Sequence, residues 1–213
     1  MSRTKSWLCA ICFLVTPASL ALPPGPPARA AAAGYNFCAC CASAGEWFLR
    51  QEAVTGETLS ELGRLGMAGN ANLSMSEAGA EGVRGISDAL ETYALTVSRS
   101  GRRWTLRMRG EGGKDGTLTF DVPRSATVFG VDLRDGQQGG AGGPLLYKEW
   151  RIEGPLTGTG VFKQGAGAGT KFRFILQGRG NNCTNASDYK TWTLQVSGAR
   201  ARYSFYGATS QTP

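Results

Sequence analysis

From Tyr93 onward this chain places a large apolar residue at every second position of short runs, and separates the runs with glycine-rich turns. Side chains on an extended strand point alternately to opposite faces, so a period of two predicts half-buried strands and excludes long amphipathic helices. Tyr93, Leu95 and Val97 alternate with Ala94, Thr96 and Ser98. After Ser100-Gly101, Trp104, Leu106 and Met108 alternate with Arg103, Thr105, Arg107 and Arg109. After the turn from Gly112 to Gly116, Leu118, Phe120 and Val122 alternate with Thr117, Thr119 and Asp121. Three such runs joined by tight turns predict an antiparallel meander. Phe129, Val131 and Leu133 continue the pattern. Leu146, Trp150 and Ile152 share a face ahead of a break expected at Gly154-Pro155. Gly165 to Gly169 reads as a flexible hairpin tip opening into Phe172, Phe174 and Leu176. The last hairpin sets Trp192, Leu194 and Val196 against Tyr203 and Phe205.

Upstream, the stretch from Glu46 to Ala89 has no sustained period. Glu46 to Gln51 and Asn70 to Met75 read as strands, and Thr58-Leu59-Ser60-Glu61 has the form of a capping box. Gly63 and Gly66 weaken any helix behind it, so this region is expected to be irregular. The chain as a whole predicts an all-β, single-domain antiparallel fold of about ten short strands with little helix. It is either barrel-like or a two-sheet sandwich, and the sequential hairpins favour the barrel.

Residues 1–33 stand apart. Arg3 and Lys5 precede an uncharged, mostly apolar run from Trp7 to Leu22, and small residues around Ala18 to Ala21 and Ala28 to Ala33 offer cleavage sites. That is the layout of a secretory signal peptide. The run is 16 residues long and contains Pro17, shorter than the roughly 20 residues that span a bilayer. Pro23, Pro24, Pro26 and Pro27 make a stiff spacer. The expectation is a secreted or periplasmic protein whose all-β domain covers residues 34–213, long enough for one real core. The leader takes Arg3, Lys5 and Arg29 with it, so 23 less three leaves 20 Lys+Arg against 16 Asp+Glu, a net charge of +4. Such a mild excess gives no case for a nucleic-acid partner.

Histidine is absent. Ser-His-Asp and Cys-His nucleophile systems, His-ligated zinc, iron or copper, and histidine pH switches are all excluded together. Three of the four cysteines beyond the leader, Cys38, Cys40 and Cys41, lie within four residues, and Cys183 lies far downstream. In an oxidising compartment the expectation is a disulfide framework. Cys38–Cys41 with Cys40–Cys183 is the least strained pairing, and closing the long loop stabilises by about 4–5 kcal/mol on the chain-entropy model. The alternatives are a Cys38, Cys40, Cys41, Cys183 thiolate site for copper or zinc, or a redox role. Adjacent cysteines make awkward tetrahedral ligands, and no thioredoxin-like pattern surrounds them.

Arg99, Arg102, Arg103, Arg107 and Arg109 crowd one hairpin and could dock an anionic envelope surface, although such a row is ordinarily a solvated strand face. Trp104, Trp150, Phe172, Phe174 and Trp192, with Tyr203 and Phe205, are most simply core. In an open barrel they would line a cavity for a small apolar ligand. Glu46, Glu81, Asp88 and Glu91 are the acids that a carboxylate-dependent hydrolase would draw on, but their spacing sets no two face to face. Gly158-Thr159-Gly160 and Gly178-Arg179-Gly180 do not lead into helices, as phosphate loops do. No cofactor is expected. The sequence therefore predicts a non-enzymatic exported β protein, structural or ligand-binding.

Overall fold

The computed structural model describes residues 47–67, 69–74, 81–84, 90–132, 146–179 and 186–211. Twelve elements follow in order: β1 (Trp47–Ala53), α1 (Gly56–Gly63), β2 (Leu65–Met67), β3 (Asn70–Ser74), β4 (Leu90–Ser100), β5 (Arg103–Arg109), β6 (Asp115–Asp121), β7 (Ser125–Asp132), β8 (Leu146–Gly160), β9 (Lys171–Arg179), β10 (Tyr189–Gly198) and β11 (Ala201–Gln211). Every strand pairing is antiparallel, and eight strands close into a barrel in the order β3-β4-β5-β6-β8-β9-β10-β11. The cylinder closes where Asn72 to Ser74 meets Ser204 to Tyr206. Of the two architectures the alternation allowed, the barrel is the one adopted.

The meander expected over 93–122 is present in register: Val97 lies opposite Leu106 and Leu106 opposite Leu118. The last hairpin likewise sets Val196 against Tyr203 and Leu194 against Phe205. Their apolar members all point inward, while Thr96, Arg107, Thr117 and Thr159 form a polar row across the outside. An apolar inside and polar outside is the reverse of a lipid-facing barrel.

Strand β8 carries the main departure from expectation. It runs unbroken through Gly154-Pro155, pairing with β9 from Tyr147 to Pro155. On its other edge it pairs first with β7, Leu146 to Arg151, and then with β6, Leu156 to Gly160. Proline lacks the N–H that a ladder needs and is tolerated where a strand has a free edge. Pro155 sits in the short stretch where that edge changes partner. The two residues mark a junction between sheets, not the end of a strand.

Because β8 overshoots the cylinder, β7 and β1 stack beside it as a two-stranded extension, with Trp47 opposite Val131 and Ala53 opposite Ser125. Here too the facing differs from expectation. Ala126 and Val128 take the buried face of β7, and Phe129 and Val131 lie outward, only half-buried. The small inner residues leave room for Phe48, whose ring would collide with any side chain at Gly130.

Residues 46–89, expected to be irregular, contribute β1, α1, β2 and β3. The helix is capped one turn earlier than the Thr58 signature suggested: the Thr55 hydroxyl accepts from the Thr58 N–H at 3.2 Å. Leu62 and Leu65 are fully buried, so α1 and the strand after it close the end of the barrel that carries the β4–β5 turn. At the opposite end, Phe162 in the β8–β9 connection is fully buried, 6.0 Å from the Tyr93 ring and edge-on to Phe205 at 5.6 Å. The connection expected as a free hairpin tip is thus pulled inward by an aromatic plug. Between the two ends the core is one continuous cluster, rich in aromatic rings.

Candidate functional site on the strand extension

The first half of β8 carries charged residues on both faces. On the inner face, Lys148 lies between Gly130 of β7 and Gly178 of β9, with Phe48 and Tyr189 beyond them in the same row. Both glycines are required. A Cβ at Gly178 would sit 1.9 Å from the Asp188 carbonyl oxygen, and one at Gly130 would sit 2.5 Å from the Phe48 ring. The lysine side chain is fully buried, pairs with the Asp188 carboxylate and has its Nζ 5.4 Å from the Tyr189 ring centre. An ammonium removed from water needs a counter-charge and hydrogen-bond acceptors. This arrangement supplies them and leaves the group shielded from any solute.

On the outer face, Tyr147 donates to Glu149 Oε1 at 2.6 Å, and Gln177 Nε2 donates to both the Tyr147 hydroxyl at 2.7 Å and Glu149 Oε1 at 3.0 Å. Arg151 donates to Glu149 Oε2 and has its guanidinium 5.2 Å from the Phe129 ring centre. Burial by itself would push the Glu149 carboxyl up, but donation from Tyr147, Gln177 and Arg151 and the charge of Arg151 outweigh it, and the group is held below the usual range. The Tyr147 phenol is pushed up to about 12, first by burial and then by the carboxylate it donates to. Neither group is poised to exchange a proton near neutral pH, as a general acid or base must be. Beyond β7, in the same rows as Tyr147 and Glu149, Trp47 is 66% exposed and Leu49 48% exposed on β1.

The arginine group divides. Arg99 donates to the Leu65 carbonyl at 2.8 Å and lies over the Trp104 ring at 4.5 Å, where burial lowers its pKa. Arg102 donates to the carbonyls of Val122, Pro123 and Val54 at 3.1, 2.7 and 2.6 Å, tying three segments together at the helix end. Arg103 forks onto Asp121 at 3.0 and 3.1 Å on the surface. Only Arg107 and Arg109 project from the strand face without such a bond among the described residues.

Trp104, Trp150, Phe172, Phe174 and Trp192 are each 0–1% exposed. They fill the cylinder by packing on each other and on Phe120: Trp104 lies edge-on to Phe174 at 5.6 Å, and Phe172 stacks on Phe120 at 4.3 Å. Tyr203 and Phe205 belong to the cluster around the plug. Cys38, Cys40, Cys41 and Cys183, with Glu46 and Asp88, lie outside the described residues. Glu81 engages Arg202 through its backbone carbonyl, whereas Glu91 accepts from Tyr93 at 3.0 Å and pairs with Lys114 at 2.5 Å, so the two carboxylates have separate settings. Gly158 and Gly160 sit in the strand end under the plug, and Gly178 serves the lysine row.

Sequence reasoning missed both networks on β8. The signal was there: Lys148 breaks an otherwise apolar inner series with Trp150 and Ile152, and an interrupted alternation is where a buried charge enters a strand. Comparison with protein-family models, with curated proteins and with solved structures finds no match to this chain.

Proposed function

We propose that this is an exported, non-enzymatic β-barrel with a structural role at the cell envelope or surface, acting through its outer face. The observation that carries the reading is the filled interior. A ligand-binding barrel keeps a lumen lined by exposed apolar groups, and here the five central aromatics are each 0–1% exposed. With α1 at one end and Phe162 at the other, both ends of the cylinder are covered among the described residues. The carboxylates described have donors on their oxygens or lie on the open surface, which supports a non-catalytic reading.

Titration with an environment-sensitive apolar dye tests this. The folded protein should show no saturable binding. Saturable, displaceable binding that quenches Trp104, Trp150 or Trp192 would overturn the structural role in favour of ligand carriage. The export half of the proposal rests on residues 1–33. Fused to a reporter enzyme that is active only outside the cytoplasm, they should yield activity, and a silent fusion would reject it. The staple completes the reading: Cys40 joined to Cys183 and Cys38 to Cys41, fastening the segment ahead of β1. Mass spectrometry of non-reduced peptides should find both bonds. Four free thiols carrying stoichiometric copper or zinc would replace the staple with a metal site.

A further inference from the structure

Among the described residues, Lys114 and Lys148 each pair with an acid, in different settings. The Lys114 side chain is 24% exposed where it meets Glu91, whereas that of Lys148 has no exposure at all where it meets Asp188. Both partners of the buried pair are held by the fold. Lys148 stands in mid-sheet, opposite Gly130 of β7 and Gly178 of β9. Asp188 ends a short turn, Ala186–Asp188, that is fastened to α1 by the Ala186 N–H donating to Glu61 Oε1 at 2.6 Å. The next residue, Tyr189, opens β10 opposite Gly178. An amine and a carboxyl group are thus kept in contact by elements on every side. Well-oriented intramolecular partners reach effective concentrations of about 10⁵–10⁸ M.

We propose that Lys148 and Asp188 mature into a covalent isopeptide bond, for which the ion pair is the precursor. Transfer of one proton from Nζ to the carboxylate cancels both charges and relieves the cost of keeping them out of water. The lone pair freed on Nζ then attacks Cγ of the carboxylic acid. The Nζ–Cγ bond forms, the Cγ–OH bond breaks, and the hydroxyl leaves with a proton from nitrogen as one water. No electron changes hands and no co-reactant is consumed. The Asp188 side chain is 22% exposed, which gives the water a way out. Lys114 lacks the dry setting that drives the first step, so its pair stays ionic. The bond joins residues 40 apart, bracketing β9, and unlike a cysteine staple it survives reduction.

Mass spectrometry of the full chain, reduced and denatured after folding, tests this. The protein should weigh one water less than the sequence from its observed N-terminus. Trypsin cuts after a lysine only when its amine is free. The digest should therefore contain residues 135–151, uncut at Lys148, joined to residues 180–190, while cutting after Lys114 is normal. Chain recovered from inclusion bodies and held in urea should carry the full mass and lose the water on refolding. Asp188→Ala should keep the full mass and the cut after Lys148, and if that variant does not fold, the refolding comparison decides alone. A folded parent with the full mass and a normal cut at Lys148 overturns the proposal. So does a lost water that maps to any other residue, or an equal yield of the joined peptide from chain that never folded. None of these outcomes bears on dye binding or export, so the structural reading above stands or falls separately.

Discussion

Arg102 and Arg103 are neighbours in sequence with the same side chain, and the structure assigns them opposite importance. Replacing Arg102 with Ala removes three guanidinium–carbonyl hydrogen bonds and leaves the Val54, Val122 and Pro123 oxygens short of a donor, two of them on residues buried to 4% or less. A net contribution of about 1 kcal/mol per bond, the figure for partners that water can partly replace, gives a loss of about 3 kcal/mol. For a domain of this size that lowers the melting temperature by about 6–12 °C. Lys at this position carries one compact ammonium that cannot span Val54 and Pro123 together, so it should recover only about 1 kcal/mol. Arg103→Ala removes a solvent-screened pair with Asp121 and should leave the unfolding curve where it was. Urea unfolding of the parent and the three variants, followed by tryptophan fluorescence, provides the comparison. Equal stability of Arg102→Ala and Arg103→Ala would refute the clamp and return the whole arginine group to a solvated face.

Phe162→Ala should open a cavity at the plugged end and cost about 3–5 kcal/mol in the same assay. Asp188→Ala strips a counter-charge from a fully buried lysine and should cost about 3 kcal/mol, with Asp188→Asn intermediate. Alkali gives a signed test. The Tyr147 phenol is raised to about 12, and those of Tyr93 and Tyr203 are raised further, in each case chiefly by burial. The protonated form is the one the fold favours, so the stability these groups contribute is complete below the ordinary phenol range near 10 and is lost as pH rises through 12. Phenolate absorbance from these tyrosines should rise together with loss of tertiary signal in that window. Their ionisation in a protein that remains folded would show that the hydroxyls are wetter than described.

The barrel was legible from Tyr93 onward because each strand there has one face in the core and one in water, the condition under which alternation survives. It failed where that condition fails. In β7 the inner positions are Ala126, Val128 and Gly130, the last kept bare by the Phe48 ring, so the larger Phe129 and Val131 gave the wrong face. In β8 the signals at Gly154 and Pro155 were real but reported a change of neighbour. The candidate site was less accessible still. Tyr147, Glu149, Arg151 and Gln177 lie on two strands, and only the β8–β9 register brings Gln177 opposite Glu149. The arginines read as one group because spacing on a strand shows which face a side chain takes, not which carbonyls a turn delivers to it.

The short seam between β3 and β11 also sets the order of events when the protein is made. Strands from β4 through β10 can each add to the neighbour just before them, except β7, which pairs with β1 and β8 and not with β6. The rung that joins Ser74 to Ser204 must wait for residues 130 positions later in the chain. Local pairing is fast and long-range closure slow, so a chain emerging from a ribosome or an export channel holds an open, curling sheet with β3 as a bare rim until its last strand arrives. No N-terminal fragment that stops short of Tyr206 can complete the cylinder. Truncations on that side of the seam should meet chaperones and proteases as unfinished sheets, however intact their first ten elements are.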